Sequence, residues 1–196
     1  TISDAFLAIH KAGKLTNARK EVDAGYSTWN LAMGSQELYD WLAENPEIFR
    51  PSDVDYVHDP DRIRRMSNVI SINGGVQLDL MGQENAESTG TRQLSGIGGQ
   101  MDFLEGAYRS KGGKGFICIN SSRVTKDGER KSNILATIPG GCTISAPRTM
   151  IQYVATEYGI ASLSGKTLRE RAEAMASIAH PDFREELMKY AQENFK

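Results

Sequence analysis

The chain is poor in the residues that would make several kinds of protein recognisable. It has two cysteines, Cys118 and Cys142, and no C-x-x-C pair. A disulfide framework or a cysteine metal site is therefore excluded as an organising principle, and both residues are expected to be buried free thiols in apolar surroundings. The three histidines, His10, His58 and His180, lie far apart with no H-x-x-x-H spacing, so no metal centre is expected. No G-x-S-x-G elbow occurs, and the glycine turn at residues 96–99 does not end in the G-K-[ST] of a phosphate loop, so neither the serine-hydrolase elbow nor a P-loop at that turn is present. Net charge is −2 with no basic run, so nothing argues for a nucleic-acid partner. No apolar stretch approaches the roughly 20 residues of a membrane span. No signal peptide is visible, and a cytoplasmic protein with no membrane partner is expected.

What is present is ordinary in bulk and specific in detail. At 196 residues, 39% hydrophobic and 24% charged, the chain is long enough for a substantial core. No repeat and no low-complexity linker divides it, so one domain over residues 1–196 is expected. Ser3–Gly13 reads as a capped helix with His10 on its face. Tyr26–Met33 is β-prone, and Ser35–Asn45 is helical by the spacing of Leu38, Trp41 and Leu42. Val54–His58 reads as extended. Asp59-Pro60-Asp61 starts a helix, with Asp as cap and Pro at the first position. Arg62, Arg64 and Arg65 then form either a solvated basic face or an anion site.

Asn68–Asn73 and Val76–Leu80 alternate like strands around Gly74-Gly75, which predicts a hairpin. Gln83–Arg92 is polar and reads as a loop. Phe116–Ile119 is almost wholly apolar, as in a strand buried on both faces. Lys126–Lys131 is a charged turn. Further short strands are expected at Asn133–Ile138, Cys142–Ser145 and Gln152–Thr156. The clearest helix begins at Thr167, where T-x-x-E makes a capping box with Glu170 and Leu168, Ala172, Met175 and Ala179 form one stripe. His180-Pro181-Asp182 interrupts it, and a final helix presents Phe183, Leu187 and Tyr190. Strands interspersed with helices indicate α/β or α+β.

The most informative stretch is Ser95-Gly96-Ile97-Gly98-Gly99-Gln100-Met101-Asp102-Phe103. Three glycines in four positions before a helix-competent run at Gln100–Arg109 make a tight turn whose N–H groups lack helical partners. It is either a structural turn or a site that polarises an anion or carbonyl. The dinucleotide fingerprint fails, because position 101 is Met and no good strand precedes the turn. Lys111 and Lys114, on glycine-rich backbone, are either solvated or poised for phosphates or a carboxylate. Glu157 is either a surface residue or a ligand-contacting group at a strand end.

These segments together carry a resemblance. The glycine turn, Arg109-Ser110-Lys111-Gly112-Gly113-Lys114, Thr156-Glu157-Tyr158-Gly159, Gly165-Lys166-Thr167-Leu168-Arg169-Glu170-Arg171-Ala172 and Ile178-Ala179-His180-Pro181-Asp182-Phe183-Arg184 resemble, in that order, the C-terminal half of the acetyl-CoA hydrolase/transferase family, closest to its 4-hydroxybutyrate and butyrate:acetate CoA-transferase branch. The resemblance implies an α/β fold, an open mostly parallel or mixed sheet flanked by helices. It implies an acyl-CoA and a small carboxylate as substrates, and no permanently bound cofactor. Its other partners would be the N-terminal half of the same protein and a second copy in a homodimer.

The implied mechanism is covalent catalysis by a glutamate carboxylate. That glutamate would fall immediately before Thr1, ahead of Ser3-Asp4, so residues 1–196 alone are expected to be inactive. Gly99 would offer its N–H to the thioester oxygen, with Gly98 and Gln100 shaping the turn. Lys111 and Glu157 would line the CoA or active-site pocket. His58 would stand near the active site, where relatives commonly carry Asn. A hydrolase of the same family and a non-catalytic CoA-binding module are the alternatives.

Overall fold

The computed structural model describes residues 1–195. Helix α1 (Asp4–Lys11) leads to β1 (Ser27–Trp29). Helix α2 (Gln36–Glu44) starts where the Ser35 hydroxyl accepts the Leu38 N–H, and β2 (Phe49–Pro51) pairs parallel to β1. Ile2, Leu7, Leu38, Trp41 and Phe49 close around these elements as a small core. Two four-residue helices follow. Segment α3 (Val54–Val57) is helical, not the extended stretch its residues suggested; Val57 is buried while Val54 stays exposed, and the burial of one side of the turn overrides β propensity. Helix α4 (Pro60–Ile63) is capped as expected, the Asp59 carboxylate accepting the Asp61 N–H.

The main sheet then begins with β3 (Ile70–Gly74), but the predicted hairpin does not form. Strand β4 (Gln77–Asp79) turns into a second sheet. There it is joined by β5 (Glu84–Asn85) antiparallel and β11 (Ile134–Leu135) parallel. A small ribbon, β6 (Ser88–Thr89) with β7 (Arg92–Gln93), precedes α5 (Gln100–Arg109). Strand β8 (Lys114–Cys118) lies between β3 and β12 (Tyr153–Thr156), parallel to both. Strands β9 (Ser122–Val124) and β10 (Arg130–Ser132) form a hairpin around the charged turn. Strand β13 (Gly159–Ser162) closes the main sheet antiparallel to β12. The result is a mixed, mostly parallel sheet in the order β13-β12-β8-β3.

Helices α6 (Leu168–Ser177) and α7 (Pro181–Asn194) pack on each other, and α6 also packs on β13. The Thr167–Glu170 capping box forms in both directions. Its stripe is buried at Ala172, Met175 and Ala179, while Leu168 is 42% exposed at the first turn. The larger core runs from Leu78 and Leu80 through Leu104, Ile117 and Val154 to these helices.

Three further expectations are corrected. Gln83–Arg92 is not a surface loop: Glu84 and Asn85 are 0% exposed. The Asn85 side chain satisfies the turn around it, accepting from the Glu87 and Ser88 N–H groups and donating to the Ser88 carbonyl. Polar residues that bond each other can be buried without an apolar signal. Cys142–Ser145 forms no strand, although neighbouring Ala146 bridges to Glu84. Neither thiol is fully buried; Cys118 is exposed, because β8 alternates and only Gly115 and Ile117 of it point inward.

Candidate active site

Helix α5 fixes the glycine turn in space. Gly106 lets α4 approach α5 closely, since a Cβ there would lie 2.4 Å from the Ile63 side chain. That contact brings His58, at the end of α3, against the start of α5. A Cβ on Gly99 would sit 2.2 Å from His58 Cε1 and 2.3 Å from Nδ1. Gly99 is therefore required by the imidazole pressed against it. Gly98 is required for a different reason. Its φ is +60° with open space around it, a conformation that L side chains adopt at a penalty.

The turn leaves its amides free. Gly99 is the N-cap of α5, and its carbonyl accepts the Phe103 N–H at 3.2 Å. Among the described residues, no backbone or side-chain acceptor takes the N–H of Gly98 or Gly99. Gly99 and Gln100 line a cavity of about 370 Å³. Its other walls include Thr1, Phe6, His58, Phe103 and Ser71 and Asn73 of β3. Unpaired donors at a helix N-terminus carry partial positive charge, suited to an oxygen that becomes negative during a reaction.

His58 is held on three sides. The Asn30 amide stands 3.2 Å from Nε2, Asp102 Oδ2 lies 3.5 Å from Nδ1, and Phe103 meets the ring edge-on at 5.3 Å. The Asn30 amide and Nε2 are a hydrogen-bonded pair whose donor is set by the imidazole tautomer. Neither Asn30 nor Asp102 carried a role in the sequence, although Asp102 sits inside the glycine-turn motif.

Gln100 joins the turn to the interior. Its amide donates to the Glu84 carboxyl, which is wholly buried on β5. Burial pushes Glu84 up to about 8, against the opposing pull of the Gln100 hydrogen bond. Glu84 is a functional candidate that sequence reasoning missed, because it stands in a polar run with no periodicity.

The remaining predicted residues lie elsewhere. Lys111 is exposed just past the C-terminal end of α5, and a ten-residue helix spans about 15 Å. Glu157 follows β12, where its carboxylate accepts from the Ser121 N–H at 2.9 Å and the Ser121 hydroxyl at 2.6 Å. Burial works to raise it, but the Ser121 hydrogen bonds outweigh that and hold it below the ordinary carboxylate range. Near it, beyond the C-terminal ends of β3, β8 and β12, Gly75, Cys118, Asn120 and Thr156 line a second cavity of about 400 Å³. Parallel sheets place ligands at this edge. The structure thus gathers His58, Gly98, Gly99 and Gln100 at one turn. Lys111 stands a helix length from it, and Glu157 stands by the sheet-edge cavity.

The model of the acetyl-CoA hydrolase/transferase C-terminal domain matches residues 34–191. The chain belongs to this family. It is 47% identical over 189 residues to the butyryl-CoA:acetate CoA-transferase of Anaerostipes caccae, covering 96% of this chain and 42% of that protein. It is 44% identical to the 4-hydroxybutyrate coenzyme A transferase of Clostridium kluyveri, covering 99% of this chain and 44% of that one. Among solved structures, RipA from Yersinia pestis superposes with a TM-score of 0.86 at 41% identity, over 98% of this chain and 42% of that chain. The 4-hydroxybutyrate CoA-transferase of Porphyromonas gingivalis superposes at 0.81 and 36% identity, over 99% of this chain and 44% of that chain. The chain thus spans less than half the length of these relatives. Its mixed α/β architecture is that of the family's C-terminal domain. Among the described residues, no helix is long and apolar enough to cross a membrane.

Proposed function

We propose that this chain is the C-terminal half of an acyl-CoA:carboxylate CoA-transferase of the butyrate:acetate and 4-hydroxybutyrate type. The observation that carries the reading is the unpaired Gly99 amide, next to that of Gly98, at a cavity that Gly99 and Thr1 both line. A glutamate immediately before Thr1 would enter the same space. Its carboxylate adds to the acyl-CoA thioester, and negative charge collects on the carbonyl oxygen. The Gly99 N–H stabilises that oxygen. Removing one such donor typically lowers kcat by about 10²–10³. The C–S bond then breaks, giving an acyl-glutamyl anhydride and CoA thiolate.

The thiolate attacks the glutamyl carbonyl of the anhydride, releasing the first carboxylate and leaving a glutamyl-CoA thioester. The acceptor carboxylate attacks that thioester to form a second anhydride, and the expelled thiolate returns to its acyl carbon. Net transfer restores the glutamate and needs no bound cofactor. His58, fixed by Asn30 and Asp102, sets the depth of the turn and stands beside the reacting atoms. Lys111, a helix length from Gly99, suits the far end of an extended CoA, and Glu157 suits the sheet-edge pocket. The N-terminal half and a second copy of the protein complete the enzyme.

The test is CoA transfer by the full-length protein with a panel of acyl-CoA donors and carboxylate acceptors. Transfer is expected, and alanine in place of the glutamate before Thr1 abolishes it. Persistence of transfer in that variant refutes the covalent route. CoA release that does not depend on an acceptor indicates hydrolysis, the activity named for relatives such as the 29% identical acetyl-CoA hydrolase of Kluyveromyces lactis. Binding of CoA without either reaction indicates a ligand-holding module.

A further inference from the structure

Glu84 is the least expected side chain in the interior. It is 0% exposed, its Oε2 accepts from Gln100, and among the described residues its Oε1 has no partner. The backbone leaves it no freedom to turn outward. Its N–H donates to the Ala146 carbonyl at 3.0 Å, and its carbonyl accepts the Ser145 N–H at 2.8 Å. It also faces Leu78 across the sheet. The orphan oxygen lies beneath Gly75, 2.4 Å from where a Cβ would stand, with Ile119 packed alongside. The carboxyl therefore sits between the sheet-edge cavity, whose wall includes Gly75 and Ile119, and Gln100 at the head of α5.

Among the described residues, no charged group compensates it. The groups that face it are Gln100 from α5, Gly75 from the β3–β4 turn, Ile119 beyond β8, Leu78 from β4 and the backbone of Ser145 and Ala146. The carboxylates nearest in sequence are engaged elsewhere. Asp79 accepts from Gln83, and Glu87 accepts from Gln93 and Ser145. A buried acid with one hydrogen bond and an idle oxygen is a poor way to stabilise a core, where an apolar side chain of similar volume does better.

We propose that Glu84 is a positioning residue for the glycine turn, its carboxyl anchoring Gln100 and through it the first turn of α5. The neutral acid fits this place. It carries no charge that burial leaves unsolvated, and its Oε2 accepts from the Gln100 amide. Burial keeps it neutral up to about pH 8. Above that, a carboxylate forms in a dry site with one oxygen unpaired, and the site must open to water. The Gln100 bond itself favours the carboxylate, but water drawn in to solvate Oε1 parts the packing beneath Gly75 and Ile119, and the first turn of α5 loosens with Gly99. The turn is thus rigid at neutral pH and slackens in mild alkali.

The experiment follows hydrogen exchange in the first turn of α5, read by mass spectrometry on peptides covering residues 100–106. The full-length protein and its Glu84→Gln and Glu84→Leu forms are compared at each pH from 6.5 to about 9.5. The amide at position 84 keeps a partner for Gln100 at every pH, so E84Q holds its protection. The native protein is expected to exchange about tenfold faster than E84Q by pH 9 and to match it at pH 7, given what a single buried hydrogen bond contributes. E84L is expected to exchange about tenfold faster at both. Identical pH profiles for the native protein and E84Q overturn the proposal. So does a change spread evenly over α6 and α7, which marks general destabilisation. Should E84L not fold, Gln100→Ala cuts the same link from the surface side and must abolish the pH step.

The catalytic consequence rests on the transferase reading: kcat falls about tenfold one pH unit past the midpoint in the native enzyme and not in E84Q, while KM for acyl-CoA changes little. The exchange result stands whether or not the protein transfers CoA.

Discussion

The fit of Gly99 against His58 can be tested by one added methyl group. In Gly99→Ala, the new carbon falls 2.2 Å from Cε1 and 2.3 Å from Nδ1 of the imidazole. Ordinary carbon contacts begin near ~3.5 Å, so ring and turn must separate by more than about 1 Å. The backbone itself raises no objection, since φ is −92° at this position. The ring cannot simply swing away. It is tied to Asn30, faces Asp102, and rests on Phe103. Overpacking of this kind typically destabilises by about 1–3 kcal/mol. For a chain of this size, that corresponds to a fall in Tm of roughly 2–12 °C.

The same displacement reaches the reaction. A shift of about 1 Å in a positioned group lowers the rate by around 10²-fold, although the Gly99 N–H is still present. The decisive measurement is a double-mutant cycle with His58→Ala, read by urea unfolding. Removing the ring makes room for the methyl, so G99A in the H58A background is expected to be nearly silent, a coupling of at least about 1 kcal/mol. Additive effects would show that the ring and the turn are not in contact, and the site as described would be wrong. Gly98→Ala is the control. It loses about 1–2 kcal/mol from its positive φ, and H58A does not rescue it.

Other substitutions probe the frame around the turn. Arg171 is buried and donates to the carbonyls of Met81, Leu163 and Arg148 at 2.7–2.8 Å. Arg171→Met strips the donor from all three, and a loss of about 3 kcal/mol or more is expected in urea unfolding. Thr167→Ala breaks both halves of the capping box and is expected to lower stability by about 1 kcal/mol. Glu84 gives a pH signature. Its folded pKa of about 8 lies above the ordinary 4.5, so between those values the folded state holds a proton that the unfolded state has released. Stability contributed by that proton is complete below the lower value and lost as pH rises through the upper one. Unfolding free energy measured from pH 5 to 9 should therefore decline less steeply in Glu84→Gln than in the native protein, and equal slopes would remove Glu84 as the titrating group.

The features readable in the sequence were those whose cause is local. The caps at Asp59 and Thr167 and the glycine turn each depend on a few neighbouring residues, and each appears where the residues put it; Ser3 stands at the N-cap of α1 as expected but makes no side-chain capping bond. Gly74-Gly75 failed as a hairpin signal because pairing is a tertiary decision. Strand β3 found β8 and β4 found β11, partners more than forty residues onward, and no turn chemistry at 74–75 encodes that choice. The same limit separates the two halves of the candidate site. The turn was visible because glycine is used there for its backbone. The ring against it was suggested only by resemblance, and Glu84 by nothing, because burial of a carboxyl leaves no trace in hydrophobic periodicity. Its trace is chemical: a polar run, Gln83–Ser88, in which nearly every side chain has a partner in the fold and one carboxylate oxygen does not. Single polar atoms of Trp29, Asn30, Trp41 and Arg62 are also buried without a partner, but among the described residues Glu84 is the one carboxyl left so, and it lies one side chain away from the turn on which the proposed chemistry depends.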